Sequence, residues 1–161
     1  MKPIQIIALL FSIALAAALP GCSKQDKVVS VAGDDPEMVA AIAKARETLP
    51  QFWQAFEKRE RGESNFSLKV KITDKQGTEH FWLTEIERTD GKTLGTINND
   101  PDIVANVKLG DRMAIPEADI SDWLYMRDGK MVGNYTLRVL FKQMPAKEVE
   151  KYKRMMADQH E

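Results

Sequence analysis

The clearest pattern along the chain is an alternation of apolar and polar residues between positions 66 and 73. Single polar residues separate the apolar ones, which are Phe66, Leu68, Val70 and Ile72. Because neighbouring side chains of a strand point to opposite faces, this alternation predicts a strand with one buried and one wet face. Turn residues at 74–77 and a second strand over 78–88 complete a predicted hairpin.

Shorter apolar runs between turn signals predict three more strands, over residues 92–97, 112–115 and 120–126. Asp128 and Gly129 follow the last of them, and both residues tolerate the positive φ of a tight hairpin turn. The middle of the chain is therefore predicted to form a sheet of mostly antiparallel strands.

At both ends of this region, the apolar residues have the spacing of a helix. Near the N-terminus the apolar residues recur every three or four positions: Met38, Ile42, Ala45, Leu49, Trp53 and Phe56. Asp35 and Pro36 are favourable residues for a helix start, and Pro50 predicts either a kink or a second helix beginning near Thr48. After residue 134, Leu137, Leu140, Phe141 and Met144 share one helical face.

These elements predict an α+β fold with a mostly antiparallel, curled sheet, an N-terminal helical segment and C-terminal helices. We expect a single domain over residues 34–144, followed by a charged C-terminal helix or tail over 145–161.

The first 33 residues have a different character. Lys2 precedes an apolar run from Ile4 to Leu19, and Gly21 and Cys22 follow it. A cationic start, a short apolar stretch and a small residue before the cleavage site are typical of a signal peptide. A cysteine directly after that small residue resembles a lipobox, so residues 1–21 are predicted to be a lipoprotein signal peptide and Cys22 to be lipidated.

Residues 22–33 are polar and rich in small side chains, which predicts a flexible tether between lipid and domain. Ser23 carries no retention aspartate, so the expected location is the cell envelope, lipid-anchored on the outer membrane and facing the periplasm. The alternatives are a buried core cysteine, a cleaved secretory protein without lipid, and an uncleaved anchor.

Composition excludes several classes of function. The chain carries 23 basic and 24 acidic residues, which argues against a nucleic-acid-binding protein. Cys22 is the single cysteine, and His80 and His160 are the two histidines, so no spacing of zinc ligands is present. Glycine-rich phosphate loops are absent from the sequence. We predict no metal, no cofactor and no catalytic residue.

The densest group of polar and aromatic residues lies in two segments, 119–125 and 133–138. Its aromatic residues, with one from the second strand, are candidate binding anchors: Trp82, Trp123, Tyr125 and Tyr135. Trp123 is also expected in or beside the core, with Asp122 on the other face of the strand. Asp122 and Arg138 are predicted to form a structural ion pair.

Four parts of the chain, at 45–53, 81–86, 109–111 and 119–125 with 133–140, together resemble the YegJ-like family of bacterial proteins, the domain of unknown function 2314. The Ser-Asp-Trp and Gly-x-Tyr-Thr stretches are the most specific parts. The resemblance covers about residues 35–144 and implies one compact α+β domain without an established activity.

Our leading interpretation is a non-catalytic envelope lipoprotein that binds an unknown envelope protein or ligand. One alternative is a periplasmic hydrolase of cell-wall material that uses Asp119, Asp122 and Glu85. A third interpretation is an immunity-type protein that binds a toxin.

Overall fold

The computed structural model describes residues 35–157, beginning with the long helix α1, Pro36–Lys58. Asp35 begins the helix as predicted, because its Oδ1 accepts hydrogen bonds from the backbone N–H groups of Glu37 at 2.9 Å and Met38 at 3.1 Å. The helix continues through Pro50 as one element. It ends where Arg59 adopts a left-handed conformation and its N–H donates to the carbonyl oxygen of Ala55.

The predicted signal peptide, lipidated Cys22 and tether, together with residues 158–161 of the tail, lie outside the described residues.

Six strands form one sheet with the order β4-β3-β2-β1-β5-β6, in which all neighbouring strands are antiparallel. The strands are β1 Glu63–Asp74, β2 Gly77–Thr89, β3 Lys92–Ile97, β4 Arg112–Ala114, β5 Ile120–Arg127 and β6 Lys130–Gly133. Helices flank this sheet in the sequence on both sides, so the predicted α+β class is confirmed.

One face of the sheet packs against α1 and forms the core. Leu68 lies opposite Leu83 on one side and Trp123 on the other, and all three side chains are fully buried. The indole Nε1 of Trp123 donates to the carbonyl oxygen of Ala45 at 2.9 Å, which attaches α1 to β5. Phe52 contributes the helix side of the contact, with its ring centroid 5.8 Å from that of Trp123.

The chain after the sheet forms a short helix, a 3₁₀ turn and a last helix: α2 Tyr135–Leu140, the turn Phe141–Gln143 and α3 Ala146–Met155. None of the α3 side chains is fully buried. The backbone N–H of Ala157 donates to the carbonyl oxygen of Met131 at 2.8 Å, so the end of this segment pairs with edge strand β6. Within residues 35–157, none of the helices has both the length and the apolar character needed to cross a membrane.

Candidate functional site on the second face of the sheet

The strand register brings polar residues together on the face of the sheet opposite the Leu68 core. Lys69 lies directly opposite Trp82 on β2 and Asp122 on β5, while Lys71 lies opposite His80. Residues that face one another across antiparallel strands project to the same side. Lys69 is therefore the centre of a group that we call the polar cluster, whose members are Lys69, His80, Trp82, Ser121, Asp122 and Thr136.

Lys69 occupies a half-buried position with few protein partners. Its ammonium Nζ donates to the hydroxyl Oγ1 of Thr136 at 3.1 Å and lies 5.6 Å from the ring centroid of Trp82. Burial lowers the pKa of the Lys69 ammonium, and the negative charge of Asp122 opposes that effect. Among residues 35–157, no carboxylate oxygen lies within 4.0 Å of this ammonium.

Asp122 is fully buried, and hydrogen bonds surround its carboxylate. Oδ1 accepts from the backbone N–H groups of Trp123 at 2.8 Å and Tyr135 at 3.1 Å. Oδ2 accepts from the backbone N–H of Thr136 at 2.8 Å and from its hydroxyl at 2.7 Å. Burial raises the pKa of Asp122, and the hydrogen bonds from Thr136 and Trp123 counteract it. The Thr136 hydroxyl thus connects the Lys69 ammonium to the Asp122 carboxylate.

His80 lies beside this connection and is held by Ser121. The imidazole Nδ1 is 2.7 Å from the hydroxyl Oγ of Ser121, which donates to the carbonyl oxygen of Lys69 at 3.2 Å. Burial lowers the pKa of His80 to about 4, with further contributions from the positive charges of Lys69, Lys71 and Arg46. The imidazole is therefore neutral at pH 7.

An open groove lies along the strands from the polar cluster, and none of the six cluster residues lines it. Its lining includes Ser67, Thr84 and Leu124, which are two residues further along their strands than Lys69, Trp82 and Asp122. The groove has a volume of about 800 Å³ and also touches Phe56, Phe66 and Met126.

Three of the four aromatic residues predicted as candidate binding anchors lie in the interior of the domain. Trp123, Tyr125 and Tyr135 are buried, with exposures of 0%, 3% and 9%. Trp123 and Tyr125 share the core face of β5, where their rings stack, and Tyr135 contacts the Trp123 ring edge-to-face. Trp82 is the one half-buried member of the four and belongs to the polar cluster. The prediction that Trp123 is a core residue is confirmed.

The predicted ion pair between Asp122 and Arg138 is also corrected. The guanidinium of Arg138 donates from its NH1 nitrogen to the carbonyl oxygens of Gly133 at 2.9 Å and Asn134 at 3.0 Å. Asp122 instead binds the N–H groups at the start of α2, because these unpaired donors are closer to it than the guanidinium. Asp122 therefore joins β5 to the start of α2, and Arg138 joins α2 to the end of β6.

The three carboxylates proposed for hydrolysis each contact a different partner. Asp119 lies 4.0 Å from the Lys71 ammonium, and Glu85 accepts a hydrogen bond from the Thr96 hydroxyl on the neighbouring strand. Asp122 is fully buried, with an exposure of 0%. Since Ser121 has an exposure of only 1%, the hydroxyl beside His80 is also out of reach of a substrate.

Lys69 and Ser121 have positions in the cluster that the sequence did not predict. The alternation in β1 predicts that Lys69 lies on the wet face of its strand. It does not predict which residues lie opposite Lys69 on the neighbouring strands. Thr136 lies in the first turn of α2, where its hydroxyl donates to Asp122. No group of three or more metal-ligand side chains is found in the described part of the chain. What the cluster offers is a half-buried cation, a neutral imidazole and an indole beside a groove.

Comparisons with known proteins identify relatives over the same region. Residues 35–157 match the family described as "Uncharacterized protein conserved in bacteria (DUF2314)". "Uncharacterized protein YegJ" of Escherichia coli (strain K12) is 38% identical over 125 residues, which cover 78% of this chain and 80% of that protein. A "putative ankyrin repeat protein" of Neisseria meningitidis serogroup B is 31% identical over 123 residues, covering 71% of this chain and 48% of the relative. No solved structure matches the chain.

Proposed function

The chain belongs to the bacterial DUF2314 family, and we propose that it is a lipid-anchored envelope protein whose domain is a non-catalytic binding module. The polar cluster and its groove are the proposed binding site. Cys22 would carry the lipid, and the domain would face the periplasm from the outer membrane.

The observation that supports binding is the environment of Lys69. Its ammonium is half-buried beside Trp82, and within residues 35–157 the group that accepts a hydrogen bond from it is the neutral hydroxyl of Thr136. Removing a charge from water is costly unless a partner compensates for it. An external partner would supply the missing compensation, and the adjoining groove gives it room.

The same geometry disfavours hydrolysis. Glycoside hydrolysis needs two carboxyl groups that face a common space. Asp122 instead uses both oxygens for hydrogen bonds with buried donors, and Asp119 and Glu85 each have a separate partner. A catalytic role for this cluster would require opening the contacts that hold α2 on β5.

The second relative is consistent with an interaction role. Its printed name describes an ankyrin repeat protein, and about half of that protein lies outside the match with this chain. Ankyrin repeats stack into extended surfaces that bind partners. The immunity-type interpretation is one form of this role, in which the partner would be a toxin.

Crosslinking on intact membranes tests the binding role. The full chain, its Trp82→Ser variant and the control Val39→Ser would be crosslinked, and the captured envelope components compared by mass spectrometry. Val39 suits the control because it is an exposed apolar residue of α1, 51% accessible. A component captured by the wild type and the control but lost in Trp82→Ser supports the proposal. Capture that is identical in all three would remove this face from consideration.

Fractionation tests the anchor separately. Changing Cys22 to Ala removes the thiol that would carry the lipid, so the variant should leave the membrane fraction or accumulate as a precursor of higher mass. Unchanged membrane association together with an unchanged mature mass would refute lipidation at Cys22.

A further inference from the structure

The Lys69 ammonium has hydrogen-bonding capacity that the described residues do not use. An ammonium carries three donors, and Thr136 Oγ1 accepts one of them. The nearby Asp122 carboxylate already accepts hydrogen bonds from Trp123, Tyr135 and Thr136. Two donors of a half-buried cation therefore remain for a ligand, and an oxyanion is the group that they bind best.

His80 contributes an acceptor close to this cation. We assign the Nδ1–H tautomer to His80, in which Nδ1 donates to Ser121 Oγ at 2.7 Å and the Ser121 hydroxyl donates to the Lys69 carbonyl oxygen at 3.2 Å. The neutral ring then carries a lone pair on Nε2. Among residues 35–157 this nitrogen has no hydrogen-bond partner, and it is not one of the sealed polar atoms. A hydroxyl group of a ligand would donate to it.

The spacing of the three residues matches a small ligand. His80 and Trp82 are two positions apart on β2, which places their Cα atoms about 7 Å apart. Lys69 is directly opposite Trp82, and the Cβ atoms of such a pair are about 5 Å apart. A single sugar ring spans distances of this order and has an apolar face that an indole can contact.

We propose that the polar cluster binds an acidic sugar, with its carboxylate on Lys69, a hydroxyl on His80 Nε2 and its ring beside Trp82. This inference rests on the proposed binding function and names the ligand class. Further sugar units would extend into the groove lined by Ser67, Thr84 and Leu124.

The two other cations near His80 have their own partners, so Lys69 is left to bind one negatively charged group of the ligand. Lys71 is near Asp119, and Arg46 donates to the carbonyl oxygens of Ile120 and Ala118. Sulfate fits less well, because at pH 7 it has acceptors on every side and would bring one of them against the lone pair of His80. The cluster should therefore prefer a ligand that has both a carboxylate and a hydroxyl donor.

Calorimetric titration of the full chain in detergent micelles at pH 7 tests the inference. The probes are glucuronate, glucose and sulfate, and the variants are Lys69→Met and Lys75→Met. Lys75 is the matched control, because it is an exposed lysine in the turn between β1 and β2. Glucuronate should bind about tenfold more tightly than either of the other probes, and Lys69→Met alone should lose about tenfold in affinity.

Equal affinity for glucuronate and glucose would overturn the inference, as would equal affinity for glucuronate and sulfate or an unchanged affinity in Lys69→Met. The comparison of probes on the wild type decides the question even if Lys69→Met fails to fold. Crosslinking distinguishes this failure from that of the binding role: a partner still lost in Trp82→Ser, with no preference for glucuronate, leaves the binding module in place and removes the acidic sugar.

Discussion

Thr136 binds Asp122 twice, since its backbone N–H and its hydroxyl both donate to Oδ2, at 2.8 and 2.7 Å. Residue 134, which precedes α2, makes no capping hydrogen bond with its side chain. Asp122 therefore does from a neighbouring strand what a capping residue does from within its own helix. The finding explains why an acidic residue is buried in β5, and it leads directly to the first prediction.

Replacing Asp122 with Ala should destabilise the domain by about 3 kcal/mol, because the N–H groups of Trp123, Tyr135 and Thr136 would remain buried without an acceptor. Chemical denaturation monitored by far-UV circular dichroism would measure the change in the free energy of unfolding. Asp119→Ala is the control, since that carboxylate is partly exposed and has only a long contact with Lys71. Similar small losses in the two variants would contradict the proposed role.

Gly133 should be irreplaceable for a steric reason that does not apply to Gly129. Both glycines have positive φ, of +83° and +76° respectively. A Cβ on Gly133 would collide with the carbonyl oxygen and indole ring of Trp123, whereas at Gly129 no atom lies within 4 Å of it. Gly129→Ala should cost about 1 kcal/mol for the left-handed conformation alone. Gly133→Ala should cost clearly more in a thermal melt, and equal melting temperatures would show that the collision is relieved.

The two tryptophans of opposite sheet faces should respond differently to truncation. Trp123→Ala removes a fully buried ring that also bonds to Ala45, so we expect a loss of about 3–5 kcal/mol. Trp82→Ala removes a half-buried ring and should cost about 1 kcal/mol. Urea denaturation of both variants measures the difference. A large loss at Trp82 would instead make its ring a structural element and weaken its role in binding.

The local elements were predictable because their signals lie within a few neighbouring residues. Asp35 caps α1, the alternation around Leu68 gives β1, and Asp128-Gly129 forms the turn between β5 and β6, as the sequence indicated. The strand bounds in the structure differ from the predicted ones by at most a few residues. Pro50 was ambiguous, because the packing that keeps the helix continuous on both sides of it is tertiary.

The candidate site was less predictable because it depends on register. No pattern within β1 indicates that Lys69 faces both Trp82 and Asp122; the pairing of β1 with β2 and β5 decides it. Tyr125 is a different case, because Trp123 is expected in the core and the strand period of two places Tyr125 on the same face, where it stacks on Trp123 and Phe66.

The last prediction concerns acid stability. His80 has a pKa of about 4 in the folded protein, against an ordinary value of 6.5, because of burial and the charges of Lys69, Lys71 and Arg46. Between these two values the unfolded chain binds more protons than the native one, so stability falls as the pH decreases from 6.5 to 4. The full shift corresponds to about 3 kcal/mol, and the partial exposure of the ring reduces it to on the order of 1 kcal/mol.

His80→Gln removes this titration, so the variant should lose less stability than the wild type between pH 7 and pH 4. Carboxylates that titrate in acid affect both proteins equally, and the difference between the two stability curves isolates the His80 contribution. Proton NMR of the imidazole resonances, with the His80 signal assigned by its absence in the variant, gives the midpoint directly. A midpoint near 6.5 would mean that the ring is hydrated and that the charges of Lys69, Lys71 and Arg46 do not lower its pKa. A midpoint near 4 would establish that the ring is neutral at the pH where we propose that its Nε2 accepts a hydrogen bond.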